Sequence, residues 1–269
     1  MAAIPETVVP AAVPGHDFRL TAWQRETSSE ALLVMIHGLG CSKQSFAGAW
    51  AQPELRDWSL LAPDLPGFGR APKPADYSYD LQQQARVLAS LLDQRASRRV
   101  HLVGHSMGGT LALLLPERIL SRLEALVLVE PRLLAESCSV AAEASRIAEA
   151  DFERQFMQGF RRRVGTDSRV AFDADHADPL AFRRSASSLV RWAGSGEMLP
   201  RFSRLPCPAW FVYGSDNRHL AELRELPAAQ TVAIAGAAHF PMHDNPALFY
   251  TTLAGLLDSA SPRNNEQAQ

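Results

Sequence analysis

Six short apolar runs, separated by stretches with helical spacing, constrain the fold of this chain most strongly. Each run is nearly continuous in apolar residues, which is typical of strands that are covered on both faces. The runs are Leu32–Ile36, Ser59–Ala62, Val100–Val103, Leu126–Val129, Ala209–Tyr213 and Thr231–Ile234. The helical patterns between and after them are Leu81–Gln94, Met107–Leu115, His219–Leu226 and Pro246–Leu257. This alternation predicts an α/β fold with a mostly parallel sheet and helices on both of its faces.

Two further segments and the two termini complete the predicted organisation. His16–Arg25 alternates between apolar and polar residues and is expected to form an antiparallel edge strand. Pro131–Pro206 contains helical spacing and no convincing strand, and an insertion of this length is commonly a lid over a site. We therefore predict a core at 15–130 and 207–260, an inserted helical cap at 131–206, and flexible termini at 1–14 and 261–269.

The amino-acid composition limits the kinds of partner that this protein is expected to bind. Of the 269 residues, 46% are hydrophobic, and 27 Lys and Arg face 29 Asp and Glu, a net charge of -2. This balance gives no electrostatic reason to expect a nucleic acid or an anionic membrane. No apolar run approaches the roughly 18 residues of a membrane span. The stretch before Gly15 lacks a basic start and contains three prolines, so we do not expect it to be a signal peptide.

The three cysteines, Cys41, Cys138 and Cys207, form no C-x-x-C pair. Neither a disulfide framework nor a structural zinc site is expected from them, and a cytoplasmic location without a bound metal is the simplest expectation. The sequence does not indicate the oligomeric state.

The strongest chemical signal is Gly104-His105-Ser106-Met107-Gly108, which lies directly between a predicted strand and a predicted helix. A G-x-S-x-G sequence in this context is typical of a sharp turn that lifts a nucleophilic serine out of a sheet. The glycines are needed because side chains two residues away on either side would collide in such a turn. We therefore predict that Ser106 is a catalytic nucleophile.

Two glycine-rich loops supply the other parts of a serine hydrolase site. His37-Gly38-Leu39-Gly40 follows the first buried strand, where glycine lets the backbone approach a ligand closely. The backbone N–H groups of Leu39 and Met107 are the predicted oxyanion hole. His239, in the Gly/Ala-rich loop after the last strand, is the predicted general base.

Together these motifs resemble those of the α/β-hydrolase-fold serine hydrolases over essentially the whole chain. A further match is Asp64-Leu65-Pro66-Gly67-Phe68-Gly69, for which we expect a role in loop architecture. The resemblance implies a Ser–His–acid triad, no cofactor, a small-molecule substrate and a helical cap over the site.

The acid of the triad has two candidates. In relatives it commonly follows the strand at 209–213, three residues after the glycine, and this position is Asn217 here. Asp216 lies one residue earlier and is the preferred choice, because it keeps the order Ser, Asp, His along the chain. Glu130, at the end of the strand at 126–129, is the alternative.

The cap is expected to set substrate specificity. Ligand pockets are mostly apolar, so Phe160 and Trp192 in the cap and Cys41 beside the glycine-rich loop are candidates for the pocket wall.

Hydrolysis of a carboxylic ester or a related acyl bond is the function that these motifs favour. Carbon–carbon bond hydrolysis, thioester cleavage and cofactor-free haloperoxidase chemistry use the same constellation of residues. A ligand-binding member of the fold that has lost activity is a fourth alternative.

Overall fold

Eight strands form a single sheet in the computed structural model, which describes residues 4–95, 98–165 and 171–260. The strands are β1 (Glu6–Val13), β2 (His16–Arg25), β3 (Ala31–Ile36), β4 (Ser59–Pro63), β5 (Arg99–His105), β6 (Leu123–Val129), β7 (Ala209–Gly214) and β8 (Thr231–Ile234). Their order across the sheet is β1-β2-β4-β3-β5-β6-β7-β8. The pairs β1–β2 and β2–β4 are antiparallel, and the other neighbours are parallel. The predicted α/β fold with a mostly parallel sheet is confirmed.

The register of the central strands determines where the site lies. Ile36 of β3 is paired with Gly104 of β5, and His105 of β5 is paired with Val129 of β6. The carboxyl ends of three neighbouring parallel strands therefore meet at one edge of the sheet, where open α/β sheets bind ligands. The glycine-rich loop, the serine turn and Glu130 each begin directly beyond one of these ends.

Apolar side chains from alternate positions of each central strand cover the two faces of the sheet. Leu32, Val34 and Ile36 of β3 point into one buried cluster, and Leu33 and Met35 point into the other. This two-sided burial explains why the central strands are continuous apolar runs rather than alternating ones.

The helices lie between and after the strands. They are α1 (Leu81–Asp93), α2 (Met107–Ala112), α3 (Glu117–Leu120), α4 (Ser139–Ser145), α5 (Gln158–Val164), α6 (Ala171–His176), α7 (Pro179–Ala193), α8 (Met198–Ser203), α9 (Glu222–Glu225), α10 (Pro241–Asp244) and α11 (Pro246–Ser259). Helical turns also occur at Lys43–Ala51 (3₁₀) and Glu153–Met157 (π). None of the helices in the described part of the chain is long and apolar enough to cross a membrane.

The helical insertion, residues 131–206, contains α4 to α8 and no strand within its described residues. Its buried aromatic side chains Phe152 and Phe182 join the larger of the two apolar clusters. The insertion is thereby packed onto the face of the sheet that carries α1, and it reaches the edge where the central strands end.

The N-terminal segment is where the structure differs most from the sequence prediction. Residues 6–13 were expected to be flexible, but they pair with β2 along their whole length, so β1 rather than β2 is the edge strand. Val9, Ala11 and Val13 are buried at alternate positions. Pro10 is compatible with this strand because an edge strand has one side without ladder hydrogen bonds. The predictions for residues 1–3 and 261–269 fall outside the described residues.

A buried ion pair supports the loop beneath the site. The carboxylate of Asp64, fully buried after β4, accepts hydrogen bonds from Nζ of Lys43 at 2.5 Å and from the backbone N–H groups of Lys43 and Arg70. A Cβ on Gly69, whose φ is +52°, would lie 2.4 Å from the Asp64 carboxyl carbon. These contacts agree with the architectural role expected for the segment 64–69.

We predict that Asp64→Asn lowers the free energy of unfolding by about 3–5 kcal/mol, because it leaves the buried ammonium of Lys43 without its nearest counter-charge. Urea unfolding measures the change. Asp93→Asn is the matched control, since Asp93 pairs with Arg118 at the surface and should contribute less than about 1 kcal/mol. Equal effects of the two substitutions would contradict the prediction.

Candidate active site

Ser106 lies at a strained turn between β5 and α2. Its φ of +51° and ψ of -117° are rarely adopted by a residue with a side chain. A Cβ on Gly104 would lie 2.6 Å from the Gly108 carbonyl oxygen, and one on Gly108 would lie 2.5 Å from the Ile36 carbonyl oxygen. Both glycines are therefore required by close backbone packing, as the sequence pattern predicted. The Ser106 N–H donates to the Val129 carbonyl at 2.8 Å, which anchors the turn to β6.

His239 is in contact with Glu130 rather than with Asp216. The loop between β8 and α10 carries His239, and its Nδ1 lies 2.6 Å from Oε2 of Glu130. The side chain of Glu130 is fully buried, whereas that of His239 is 29% exposed. Glu130 has a φ of +45°, so the backbone bends sharply just where β6 ends.

The Glu130 carboxylate is held by groups from the loop after β7. Oε1 accepts hydrogen bonds from the Gly214 N–H at 3.1 Å and from Nδ2 of Asn217 at 2.8 Å, and Oε2 also lies 3.0 Å from Nδ2 of Asn217. Asn217 occupies the position at which relatives commonly carry the acid. Here it donates to a carboxylate from the neighbouring strand instead of supplying one.

Asp216, the acid preferred from the sequence, does not contact His239. Its side chain is exposed and lies 3.4 Å from Oγ of Ser215, and within the described residues it makes no hydrogen bond to His239. Its backbone N–H donates to the Ala237 carbonyl. The physical reason is that the turn after Gly214 points Asn217 towards Glu130 and Asp216 towards solvent. The geometry thus favours the alternative acid, Glu130.

Ser106 and His239 line the same cavity, but no hydrogen bond joins them among the residues that the structure describes. Nη2 of Arg132 lies 3.1 Å from Nε2 of His239 and 3.0 Å from its Nδ1. Because Nη2 is almost equidistant from the two ring nitrogens, the guanidinium lies against the face of the imidazole rather than along the lone pair of Nε2. Catalytic hydrogen bonds are often absent or long in free enzymes and tighten on substrate binding.

Arg132 and His105 were missed by sequence reasoning. Nε2 of His105 donates to the His239 carbonyl at 2.9 Å, and the two rings lie 4.8 Å apart, so His105 positions the loop that carries His239. The signal for His105 was its place inside the G-x-S-x-G turn. Arg132 had no signal beyond its nearness to Glu130 in sequence.

The electrostatic surroundings keep the histidine neutral. Burial lowers the pKa of His239 well below its ordinary value, and the positive charge of Arg132 lowers it further, while Asp244 acts in the opposite direction. A neutral imidazole is the form that can accept a proton, as a general base must. Glu130 can then stabilise the imidazolium that forms.

The predicted oxyanion loop packs directly against the serine turn. A Cβ on Gly38 would lie 3.1 Å from the Cβ of Ser106. Burial lowers the pKa of His37, and this neutral ring donates from Nδ1 to the Gly38 carbonyl and accepts at Nε2 from the Leu65 N–H. Within the described residues, the N–H groups of Leu39 and Met107 make no hydrogen bond. Leu39 lines the cavity over Ser106, whereas Met107 is fully buried and is not among the residues that line it.

A cavity of about 260 Å³ lies over Ser106 and is mostly apolar. The helical insertion contributes much of its wall, including Val140, Ala141, Phe160 and Leu189. Cys41 also lines the cavity, and burial raises the pKa of its thiol, so it is not a reactive nucleophile.

Of the three side chains predicted for the pocket wall, Cys41 and Phe160 line the cavity and Trp192 does not. The Trp192 ring packs against the core cluster, and the guanidinium of Arg201 lies 5.6 Å from its centroid. Trp192 therefore packs against the core, and Leu189 is a residue of α7 that faces the cavity.

Comparison with known proteins agrees with this geometry. A sequence model described as the alpha/beta hydrolase family matches residues 33–252. The chain belongs to the α/β hydrolase family. It is 31% identical to a putative esterase/lipase of Mycoplasma pneumoniae, over 87% of this chain and 91% of that protein. This α/β hydrolase is therefore an enzyme of the hydrolase class.

Solved structures share the α/β hydrolase fold at low sequence identity. A variant of the N-acyl homoserine lactonase AidH, complexed with N-hexanoyl homoserine, superposes with a TM-score of 0.76 and 20% identity, covering 96% of this chain and 98% of that one. An esterase from Thermogutta terrifontis gives a TM-score of 0.74 and 18% identity, covering 95% and 99%. At these identities the likeness shows the fold alone.

We predict that Glu130→Gln lowers kcat by up to about 10⁴-fold, because the amide no longer fixes the tautomer of His239 or stabilises its charged form. Asp216→Asn is the matched control and should leave kcat within about twofold, since that side chain faces solvent. Steady-state kinetics with an activated ester measures both variants. Loss of activity only in Asp216→Asn would contradict the assignment.

We also predict that Arg132→Gln moves the acid limb of the kcat/KM–pH profile to higher pH. Removing the positive charge raises the pKa of His239, so the base becomes protonated at a higher pH than in the wild type. Arg201→Gln, which removes a charge beside Trp192, should leave the limb in place. An unmoved or lowered limb in Arg132→Gln would show that Arg132 does not act on His239.

Proposed function

We propose that this α/β hydrolase cleaves a carboxylic ester, or a related acyl bond such as a lactone, in a small molecule through an acyl-enzyme at Ser106. The observation that carries the proposal is the 2.6 Å contact between Glu130 and His239 at the edge of the cavity that holds Ser106. It gives the histidine both a fixed orientation and a buried counter-charge. A serine at a strained turn is made nucleophilic by such a pair.

The reaction begins at Oγ of Ser106. His239 accepts the hydroxyl proton at Nε2 while Oγ attacks the carbonyl carbon of the substrate. The oxygen of the resulting tetrahedral intermediate is negatively charged and accepts hydrogen bonds from the N–H groups of Leu39 and Met107. The carbon–oxygen bond of the ester then breaks, and His239 returns the proton to the departing alcohol.

Water completes the cycle by the same steps. His239 removes a proton from a water molecule, which attacks the acyl carbon, and Ser106 leaves with that proton. Throughout, Glu130 remains ionised and balances the positive charge on the imidazolium.

The form of the cavity supports a small acyl substrate. Its wall is mostly apolar, and Ser106, His239 and Arg132 form a polar edge where the bond to be broken would lie. Such a wall suits the hydrocarbon part of an acyl group, while the polar edge suits the bond to be broken. The similar proteins named as esterases and as a lactonase likewise act at an acyl carbon.

We predict that Ser106→Ala lowers ester turnover by at least about 10⁴-fold, because it removes the hydroxyl that forms the acyl-enzyme. A panel of p-nitrophenyl esters, thioesters and lactones measures the activity of the wild type and the variant. Ser203→Ala, at an exposed position of α8, is the control.

A fluorophosphonate probe provides an independent test. Rapid labelling of the wild type at Ser106, with none in Ser106→Ala, is expected. A wild type that binds esters without labelling or turnover would instead be a ligand-binding member of the family. Full turnover by Ser106→Ala would exclude the proposed mechanism.

A further inference from the structure

A buried carboxyl group in the cavity wall takes no part in the mechanism described above. Asp173, on α6 of the helical insertion, is 1% exposed and lines the cavity together with Ser106. Its Oδ1 accepts a hydrogen bond from Oγ of Ser42, beside the predicted oxyanion loop. Its Oδ2 is buried and has no hydrogen-bond partner among the described residues. Buried polar atoms are rarely left in this state unless a ligand or water completes them.

Among the residues that the structure describes, no basic side chain forms an ion pair with Asp173. The nearby ammonium of Lys43 is already paired, with Asp64 at 2.5 Å and with Glu6 at 3.3 Å. Burial is the main cause that raises the pKa of Asp173 to about 7, and Asp64 raises it further, while Ser42 and Lys43 act in the opposite direction. Near neutral pH the group is therefore divided between a carboxylate, which accepts hydrogen bonds, and a neutral acid, which accepts and donates.

We propose that Asp173 selects substrates that carry an uncharged hydrogen-bond donor, a hydroxyl or amide N–H, on the part that enters the cavity. The proposal rests on the acyl-transfer function proposed for Ser106 and names the substrate class for that site. Such a donor would supply the missing partner of Oδ2. A purely alkyl chain would leave this oxygen unpaired, as it is in the free protein, so only a substrate that carries a donor gains a hydrogen bond there.

An uncharged donor fits the cavity better than a cationic one. The guanidinium of Arg132 lies at the same cavity, beside His239, and would repel an ammonium group that approached Ser106. The rest of the wall around Asp173, with Phe160, Ala174 and Leu189, is apolar and offers no second acceptor side chain for a cation.

Matched pairs of p-nitrophenyl esters test the proposal. The pairs are 3-hydroxybutyrate with butyrate and 6-hydroxyhexanoate with hexanoate, and 6-aminohexanoate supplies a cationic chain. In the wild type we expect kcat/KM to favour the hydroxyacyl ester about tenfold or more in at least one pair. In Asp173→Leu, which keeps side-chain bulk and removes both oxygens, the ratio in that pair should fall to about one.

Two further variants distinguish an effect on substrate selectivity from an effect on the fold. Ser42→Ala removes the bond between α6 and the loop at 42 but leaves the carboxyl group, so the wild-type ratio should persist. Asp173→Asn is nearly isosteric and keeps one oxygen, so it should lower the ratio without abolishing it. If Asp173→Leu does not fold, an unchanged ratio in Asp173→Asn contradicts the proposal.

The proposal is wrong if the wild type shows no preference in either pair, or if Asp173→Leu leaves the ratio unchanged. It is also wrong if Asp173→Leu and Ser42→Ala slow all esters equally, or if only the aminohexanoate responds to the change. Fluorophosphonate labelling of Ser106 and turnover of the butyrate ester report on the proposed function separately. If the wild type shows both the labelling and the turnover, a negative result in the ester pairs contradicts only the role proposed for Asp173.

Discussion

The contact between Glu130 and His239 is the interaction on which the functional account depends. It joins the end of β6 to the loop after β8, two elements that are far apart in sequence and separated by β7 in the sheet. The intervening strand contributes as well, because Gly214 and Asn217 hold the carboxylate in place. A fully buried carboxylate is stable there only because its oxygens accept several hydrogen bonds.

Charge is distributed around the cavity in a way that suits acyl transfer. Glu130 lies behind the histidine, and Arg132 lies in front of it and keeps the ring neutral in the free enzyme. Away from these groups most of the cavity wall is apolar, and Asp173 is a buried carboxyl group within it. The helical insertion supplies both that carboxyl group and much of the apolar wall, which agrees with the proposal that the insertion sets substrate selectivity.

Most of the fold was predictable because the central strands are buried on both faces and leave a clear apolar pattern. Ser106 and its glycines were predictable for a related reason, since the close backbone packing at the turn excludes side chains. β1 was not predicted because Pro10 within it and Pro5 and Pro14 on either side suggest breaks, although an edge strand tolerates a proline.

The choice between Asp216 and Glu130 could not be made from sequence. β6 and β7 are adjacent and end at nearly the same level, with Val129 paired to Val212, so either strand end is close enough to carry the acid. The direction of each side chain depends on the backbone bend at residue 130, which no local pattern reveals. Trp192 was misplaced for a similar reason, because helical spacing does not give the rotation of α7 about its axis.

Proton NMR of the protein labelled with ¹⁵N-histidine tests the central contact most directly. The account predicts a strongly downfield Nδ1–H resonance from His239 that is present in the wild type and in Asp216→Asn and lost in Glu130→Gln. A resonance that survives Glu130→Gln and disappears in Asp216→Asn would contradict it.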